Sequence, residues 1–196
     1  MTPLGRRQPA TRGVFAIEQE ELLLPDPIAL DTSFVVEALV ATQPLHGICS
    51  PCLAHIFESG VSVATSELLR VELAEAVFAN ALKERWGRQW RRHRTDGRSR
   101  ARAGRLLDRT EARYEKMLAS LTHISIPLGD ITTAATTFMR EYGLASYDAA
   151  HAASAIAAGA EAIVTIDTGF ALLPASLLTI YTDRSRLASC RTKRPR

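Results

Sequence analysis

The chain has 196 residues, of which 46% are hydrophobic, so it is long enough for one domain with a substantial core. No stretch reaches the roughly 18 apolar residues of a membrane span, and the N-terminus lacks the apolar segment of a signal peptide. We therefore expect a cytoplasmic protein with no membrane association. Three cysteines, an odd number in a chain without an export signal, favour free thiols over a disulfide framework.

The net charge of +3 conceals a separation of charge along the chain. Residues 83 to 113 carry 12 of the 24 lysines and arginines against four acids, and residues 184 to 196 carry six more against none. Without these and the three arginines before residue 13, three basic residues remain against 17 acids. An acidic body is suited to divalent cations, whereas arginine-rich segments are suited to polyanions such as nucleic acids.

A regular pattern of strands and helices begins at residue 28. The stretch "IALD" is predicted as a buried strand, followed by an amphipathic helix from Ser33 to about Thr42. A second helix is predicted over "SPCLAHIFES", with Ser50 as its N-cap and Pro51 in its first position. The stretch "VSVAT" is predicted as the next strand.

The second half of the chain begins with a long basic helical hairpin. A helix from Glu67 runs into the basic stretch, "TDGRS" carries turn residues that break it, and a return helix ends near Leu121. The stretches "HISIPL", "AIVTID" and "LLTIY" are predicted as strands, with helices at 130–142 and 146–158 between the first two. This alternation predicts an α/β fold: a parallel central sheet of four to five strands, helices on both faces and a protruding basic hairpin.

Two of the predicted strands end on an aspartate. Asp31 ends "IALD" and Asp167 ends "AIVTID". Ligands of open parallel sheets bind beyond the carboxyl ends of the strands, so we expect both side chains at one rim. The helical pattern places Glu72 on or beside a buried helix face, and Asp148 in the first turn of an alanine-rich helix. Four acids with hydroxyl groups nearby suit Mg²⁺ or Mn²⁺.

Each acid also has a purely structural interpretation. The two aspartates at helix starts could interact with the helix dipole, which is worth roughly 0.3–1 kcal/mol. Glu72 could face solvent, with Glu67 or Glu75 as the metal ligand instead. Asp167 could be an Asx-turn residue.

Four motifs, in this order, resemble the PIN-domain ribonucleases, and within that family the VapC-type toxins of bacterial toxin–antitoxin pairs. They are "LDTS" with Asp31, "TSELLRVEL" with Glu72, "YDAAHAASA" with Asp148 and "IVTIDTGF" with Asp167. The resemblance, which spans about Ile28 to Asp183, implies a three-layer PIN-like fold. It implies that these acids are catalytic and hold one or two Mg²⁺ or Mn²⁺ ions for hydrolysis of RNA phosphodiester bonds. It also implies that three hydroxyl side chains support the metal-binding acids: Ser33, Ser146 and Thr165.

The same resemblance implies three partners: RNA as the substrate, a small antitoxin protein, and a second copy of the chain in a homodimer. The chain departs from a compact VapC-type toxin in its long arginine-rich hairpin and its extended termini. We therefore expect a partly disordered N-terminal extension over residues 1–27 and a PIN-like nuclease domain over 28–183, with the basic insert at 83–113. A basic C-terminal tail is expected over 184–196.

The basic hairpin is the predicted RNA-binding surface. Arginine-rich segments supply affinity for RNA that is independent of sequence. Two tryptophans four residues apart, Trp86 and Trp90, could stack on bases or, more commonly, pack between helices. The arginines expected to contact RNA are Arg88, Arg91, Arg92, Arg94, Arg98 and Arg100.

Other functions fit the sequence less well than a ribonuclease. Haloacid-dehalogenase phosphatases also carry an aspartate at a strand end, but they have a second aspartate two residues later, where this chain has Ser33. A response-regulator receiver needs an adjacent acidic pair before its aspartate, which is missing here. The main alternative is a catalytically inactive PIN-like protein that binds RNA or acts as a scaffold.

Overall fold

The computed structural model describes residues 13–19 and 22–195, so residues 1–12 of the extension predicted to be partly disordered lie outside the described residues. Within this part of the chain six strands form one sheet: β1 (Val14–Ala16), β2 (Ile28–Leu30), β3 (Val63–Ser66), β4 (His123–Ile126), β5 (Ala162–Val164) and β6 (Thr179–Thr182). Their spatial order is β1-β6-β5-β2-β3-β4, and every pairing is parallel. The predicted parallel sheet is confirmed.

Seven α-helices surround the sheet in the described residues: α1 (Thr32–Leu39), α2 (His46–Ser59), α3 (Leu68–Trp86), α4 (Gly97–Ala119), α5 (Leu128–Tyr142), α6 (Ser146–Ala157) and α7 (Leu187–Lys193). Three short 3₁₀ helices lie at Gly87–His93, Thr168–Leu172 and Arg184–Arg186. Among the described helices, none has both the length and the apolar character needed to cross a membrane.

The sheet separates two hydrophobic cores, because successive side chains of a strand point to opposite faces. In β2, Ile28 and Leu30 belong to one core and Ala29 belongs to the other. The first core also contains residues of α1 to α4, such as Phe34, and the second contains residues of α5 and α6, such as Ile131. Helices therefore cover both faces, and the predicted three-layer α/β architecture is confirmed.

The sheet has six strands, whereas the sequence predicts four to five. The additional strand is β1, which pairs with β6 at the sheet edge, with Val14 opposite Ile180. Only three residues long, β1 carries no alternation that would identify it as a strand. At the other end of the chain, α7 packs against β1 and buries Cys190. Residues on both sides of the predicted nuclease domain thus join the same α/β unit.

The start of α2 differs from the prediction. The helix begins at His46, and Pro51 lies inside it rather than in its first position. Glu37 of α1 supports this earlier start, because its Oε2 accepts a hydrogen bond of 2.7 Å from the backbone N–H of Leu45, next to the helix start. This carboxylate satisfies the N–H of Leu45, the N-cap residue of α2, at the helix end where backbone donors lack intrahelical partners.

The basic hairpin consists of α3, the 3₁₀ helix Gly87–His93 and α4. Its turn follows the prediction in part, because Asp96 in "TDGRS" caps α4 and accepts a 2.8 Å hydrogen bond from the N–H of Ser99. Trp90 is buried in a small core between the two helices. Trp86 stacks on His93 and donates a 3.2 Å hydrogen bond to Ser99 Oγ. The two tryptophans therefore pack between helices, and Trp90 is not exposed for base stacking.

Candidate metal and catalytic site

The rim at the carboxyl ends of β5, β2 and β3 brings the predicted acids into one region. Asp31 follows β2 directly, and its backbone N–H donates a 3.0 Å hydrogen bond to the carbonyl of Val164, the last residue of the neighbouring β5. Asp167 lies three residues beyond that point. Glu72 enters from the second turn of α3, which follows β3, and Asp148 from the first turn of α6.

Asp31 is buried and its carboxylate is well satisfied. Asp31 is 4% exposed, and its Oδ2 accepts hydrogen bonds from the N–H of Ser33 at 3.2 Å, from Ser33 Oγ at 2.5 Å and from Thr165 Oγ1 at 2.8 Å. Asp31 is therefore the N-cap of α1, and it also lies at the rim. Its other oxygen, Oδ1, is 3.9 Å from the imidazole of His151.

The two hydroxyls that hold Asp31 also hold the backbone leading to Asp167. Ser33 Oγ accepts a 3.0 Å hydrogen bond from the N–H of Ile166, and Thr165 Oγ1 accepts one of 2.9 Å from the N–H of Asp167. The exposed side chain of Asp167 accepts a 2.7 Å bond from the N–H of Gly169, which is the Asx-turn arrangement considered above. One hydroxyl network thus fixes two of the acids relative to each other.

Glu72 points to the site, whereas the two neighbouring glutamates do not. Its Oε2 accepts a 2.6 Å hydrogen bond from Thr32 Oγ1 and contacts His151 Nε2. Glu67 instead accepts a hydrogen bond from the backbone N–H of Leu128, and Glu75 forms an ion pair with Arg94.

His151 lies among the acids, one turn after Asp148 on α6. It is 3% exposed, so its ring is not accessible to a substrate from the solvent. Burial acts to lower the pKa of His151, but the hydrogen bond to Glu72 and the charges of Asp31, Glu72 and Asp148 outweigh it, so the pKa is raised. The acids around His151 therefore favour its protonated form, in which the imidazole would offset part of the acidic charge, a role the sequence did not reveal.

Asp148 is the acid whose titration is most strongly perturbed. Burial, and then the negative charge of Asp167 and Asp31, raise its pKa to about 7, with a smaller contribution from Glu72. Gly169 lies directly against it, since a Cβ on Gly169 would be 2.8 Å from Asp148 Oδ2 and 3.2 Å from Asp167 Oδ1. The absence of a side chain at Gly169 allows these two carboxylates to share the rim.

The four carboxylates are chemically suited to a hard divalent cation. Their negative charges repel one another at the rim, and a bound cation would reduce this repulsion. As the side chains stand, no three histidine, cysteine or carboxylate groups in the described residues are close enough to hold one ion. One oxygen of Glu72, Oε2, is engaged by Thr32 and His151. Ser146 is exposed and makes no hydrogen bond to any of the four acids within the described part of the chain.

A groove of about 700 Å³ leads from the acids along α3 towards the basic hairpin. Glu72 and Asp167 line it, and it continues along one face of α3 to Lys83 and to Arg91 in the 3₁₀ helix. Both cationic residues contact the ring of Trp90, which holds them in place. The groove therefore connects the acidic rim with positively charged side chains.

The six arginines predicted to bind RNA are all exposed, but they are not equivalent. Arg91 lines the groove. Arg94 is taken up by a bidentate ion pair with Glu75, with distances of 2.6 and 2.5 Å. This pair fixes the turn of the hairpin to α3, so Arg94 is less free to contact RNA than its neighbours. The others lie in the 3₁₀ helix or the first turns of α4: Arg88, Arg92, Arg98 and Arg100.

Arg186 is a further groove residue that the sequence assigned only to a basic tail. It is paired with the buried Asp183, which follows β6. A sequence signal for this position exists, because Asp183-Arg-Ser185 repeats the Asp-x-Ser spacing of Asp31-Thr-Ser33 at the end of another strand.

Comparison with known proteins identifies one family for most of the chain. The family model described as PIN domain matches residues 28–175. A solved structure, PAE2754 from Pyrobaculum aerophilum, has a TM-score of 0.46 and 22% sequence identity, over 85% of this chain and 98% of that one. No curated protein matches the chain significantly.

Proposed function

The chain belongs to the PIN-domain family, and from this premise we propose that it is a divalent-metal-dependent endoribonuclease. PIN domains are generally nucleases and typically use divalent metal ions. The observation that carries the proposal is the convergence of Asp31, Glu72, Asp148 and Asp167 from four separate elements on one rim. The closeness of these acids is also reflected in the pKa of Asp148, which burial and the charges of the other acids raise to about 7.

In this proposal the four acids would hold Mg²⁺ or Mn²⁺, and each has a different support. Asp31 is held by Ser33 and Thr165, while Glu72 is held by Thr32 and His151. Bound there, the cation would polarise a phosphoryl oxygen and lower the pKa of a water molecule for attack. Without a cation, the raised pKa of Asp148, about 7, keeps this carboxyl partly protonated near neutral pH, which limits the repulsion among the acids.

RNA is the proposed substrate because an acidic centre lies beside a long basic surface. The groove that contains Glu72 and Asp167 also contains Lys83 and Arg91, so a phosphodiester strand lying in it would meet cations on its way to the acids. The exposed arginines of the hairpin extend this surface and would add affinity that does not depend on base sequence.

From the resemblance of the four motifs to VapC-type toxins, we further propose that the protein is the toxin of a toxin–antitoxin pair. Its partners would be a small antitoxin protein and a second copy of the chain in a homodimer. Induced expression in a bacterial host should then arrest growth, and the same expression of an Asp148→Asn variant should not. Normal growth with the active enzyme would contradict the toxin role without affecting the nuclease role.

The nuclease proposal is tested with a fluorescent single-stranded RNA and the purified protein. Cleavage should require Mg²⁺ or Mn²⁺, stop in excess EDTA and return on addition of Mn²⁺. The variants Asp148→Asn and Asp167→Asn, purified identically, serve as controls against contaminating ribonuclease and should be inactive. RNA binding without cleavage at any metal concentration would instead support the inactive RNA-binding alternative, and undiminished cleavage in EDTA would exclude this mechanism.

A further inference from the structure

A third aspartate ends a strand at the same rim and holds an arginine. Asp183 follows β6, which lies next to β5 in the sheet, and it is 1% exposed. Its Oδ1 accepts hydrogen bonds from the N–H of Ser185, at 3.1 Å, and from Ser185 Oγ. Its Oδ2 lies 2.7 Å from Arg186 Nε. The arrangement repeats that of Asp31 with Ser33, but here the second oxygen is taken by a guanidinium.

Arg186 extends from this buried partner into the groove. Its side chain is 38% exposed, and it lines the groove together with Asp167 and Thr168. In the described residues Arg186 forms an ion pair with no carboxylate other than Asp183. The contact is an ion pair without hydrogen-bond geometry, because neither Asp183 Oδ2 nor Arg186 Nε has a hydrogen-bond partner among the described residues. A guanidinium paired at Nε keeps its two terminal nitrogens for a second ligand, and this planar fork matches the geometry of a phosphate group.

The ion pair explains why an arginine can remain beside the acidic rim without closing the site. A free arginine there would be attracted to Asp167, an exposed carboxylate in the same groove. Asp183 is buried, so its pairing with Arg186 removes the cost of an isolated buried charge and holds the guanidinium at this end of the groove. The guanidinium is thereby oriented before any substrate arrives, which lowers the entropy lost on binding.

The cationic residues of the groove stand on both sides of the acids. Lys83 and Arg91 line the groove beyond Glu72 along the hairpin, and Arg186 follows β6, which is next to β5 on the side of the sheet away from β3 and α3. Lys193 of α7 adds a second cation there, because its Nζ donates a 2.7 Å hydrogen bond to Thr168 Oγ1. A strand that passes over the acids would therefore have a phosphate within reach of a cation before and after the reacting position.

We propose that Arg186 binds a phosphate of the substrate strand next to the one that is cleaved, and that Asp183 is a positioning residue that orients it. The inference rests on the proposed ribonuclease function and adds to it a specific phosphate contact contributed by residues beyond β6.

The test compares Arg186→Gln with Arg184→Gln. Arg184 belongs to the same 3₁₀ helix and is exposed, but it does not line the groove, so it is a matched control for loss of one positive charge. Binding of single-stranded RNA is measured at several salt concentrations in an Asp148→Asn background with Mg²⁺. Arg186→Gln should weaken binding about tenfold and reduce the slope of log affinity against log salt by roughly 0.7, the value for one single-strand phosphate contact. Arg184→Gln should change neither quantity.

Two further measurements separate contact from positioning. In the active enzyme, Arg186→Gln should raise KM with little change in kcat, because the contact is made in the ground state as well as in the transition state. Asp183→Asn should weaken RNA binding less than Arg186→Gln does, and the double variant should be no worse than Arg186→Gln alone, since Asp183 acts through Arg186. If Arg186→Gln does not fold because Asp183 loses its partner, the double variant removes both charges and provides the same comparison.

Equal affinity and equal salt slope for Arg186→Gln and Arg184→Gln would overturn the inference, even if the wild-type enzyme cleaves RNA with Mg²⁺. Conversely, a wild-type protein that cleaves no RNA but loses affinity on Arg186→Gln would refute the proposed nuclease function and leave the phosphate contact standing. Additive losses in the double variant would refute the role of Asp183.

Discussion

Replacement of Gly169 by alanine should damage the site while leaving the fold nearly intact. The φ angle of Gly169 is outside the left-handed region, so its backbone accepts an alanine without conformational strain. The new Cβ would however lie 2.8 Å from Asp148 Oδ2, which is closer than ordinary van der Waals contact. The backbone N–H of Gly169 also bonds Asp167, so the backbone cannot easily retreat from Asp148.

The magnitude follows from these distances. To reach 3.4 Å from the new Cβ, the shortest ordinary contact distance, Asp148 Oδ2 must move by about 0.6 Å. Asp167 Oδ1, which would be 3.2 Å from this Cβ, must also shift slightly. Alanine in place of glycine reduces the entropy of the unfolded chain, which stabilises by about 0.4–1 kcal/mol and offsets the cost of turning a carboxylate. We expect a change in unfolding free energy within about 1 kcal/mol. Because a misplacement of about 1 Å can cost roughly 100-fold in rate, we expect a tenfold to hundredfold loss of kcat.

The assay is metal-dependent RNA cleavage, run beside urea unfolding of the same preparations. Gly129→Ala in α5 is the matched control, since its Cβ would meet no atom within 4 Å, and it should keep full activity. If Gly169→Ala retains wild-type kcat and is as stable as the wild type, then Asp148 and Asp167 do not need their present positions for catalysis. That result would remove both acids from the proposed centre.

Three other changes test the charges of the site and of the hairpin. Burial and neighbouring acids raise the pKa of Asp148 from 3.8 to about 7, so metal-free stability should fall as pH rises from about 4 to about 7, and thermal melts of Asp148→Asn should lack this component. Asp31→Ala leaves buried hydroxyl donors without an acceptor and should cost about 1–3 kcal/mol in urea unfolding, whereas Asp31→Asn, which keeps one oxygen, should melt no lower than the metal-free parent. Arg94→Gln breaks an exposed ion pair with Glu75 and should cost about 0.2–1 kcal/mol, without changing the salt slope of RNA binding that Arg91→Gln reduces.

The position of the acids could be predicted because strand ends and helix starts are local signals. Asp31 and Asp167 each follow a short apolar run, and in a parallel sheet such ends meet at one rim whatever the strand order. The face of α3 on which Glu72 lies could be predicted from helical periodicity alone, because the neighbouring leucines define the buried face. The alternation of helices and strands was sufficient for the three-layer architecture in the same way.

The features that the sequence did not predict all depend on contacts between distant residues. β1 is recognisable only by its pairing with β6, and the N-cap residue of α2 donates its N–H to a carboxylate of α1. His151 lies three residues after Asp148, yet nothing local indicates that it reaches Glu72 on α3. Arg186 belongs to a basic segment whose composition suggests a solvated tail, and only the fold brings it to the groove.

Asp31 is the N-cap of α1 and also lies at the rim, so its structural and its chemical interpretation do not exclude each other. One oxygen of Asp31 takes up the capping and hydroxyl donors, and the other remains on the side of His151. Asp167 likewise caps a 3₁₀ helix, and Glu72 accepts a bond from Thr32. Structural roles therefore fix these acids in place rather than compete with chemistry.

Asp148 differs from the other three acids in a way that accounts for its pKa. It accepts no hydrogen bond from any residue that the structure describes, so nothing local favours its charged form against burial and the surrounding negative charge. Of the four acids, the one that binds a proton most readily in the metal-free site is therefore the one without a hydrogen-bond donor, and Gly169 leaves room for its side chain. A cation entering the rim would thus displace a proton from Asp148, and metal binding near neutral pH should release protons that the Asp148→Asn variant does not release.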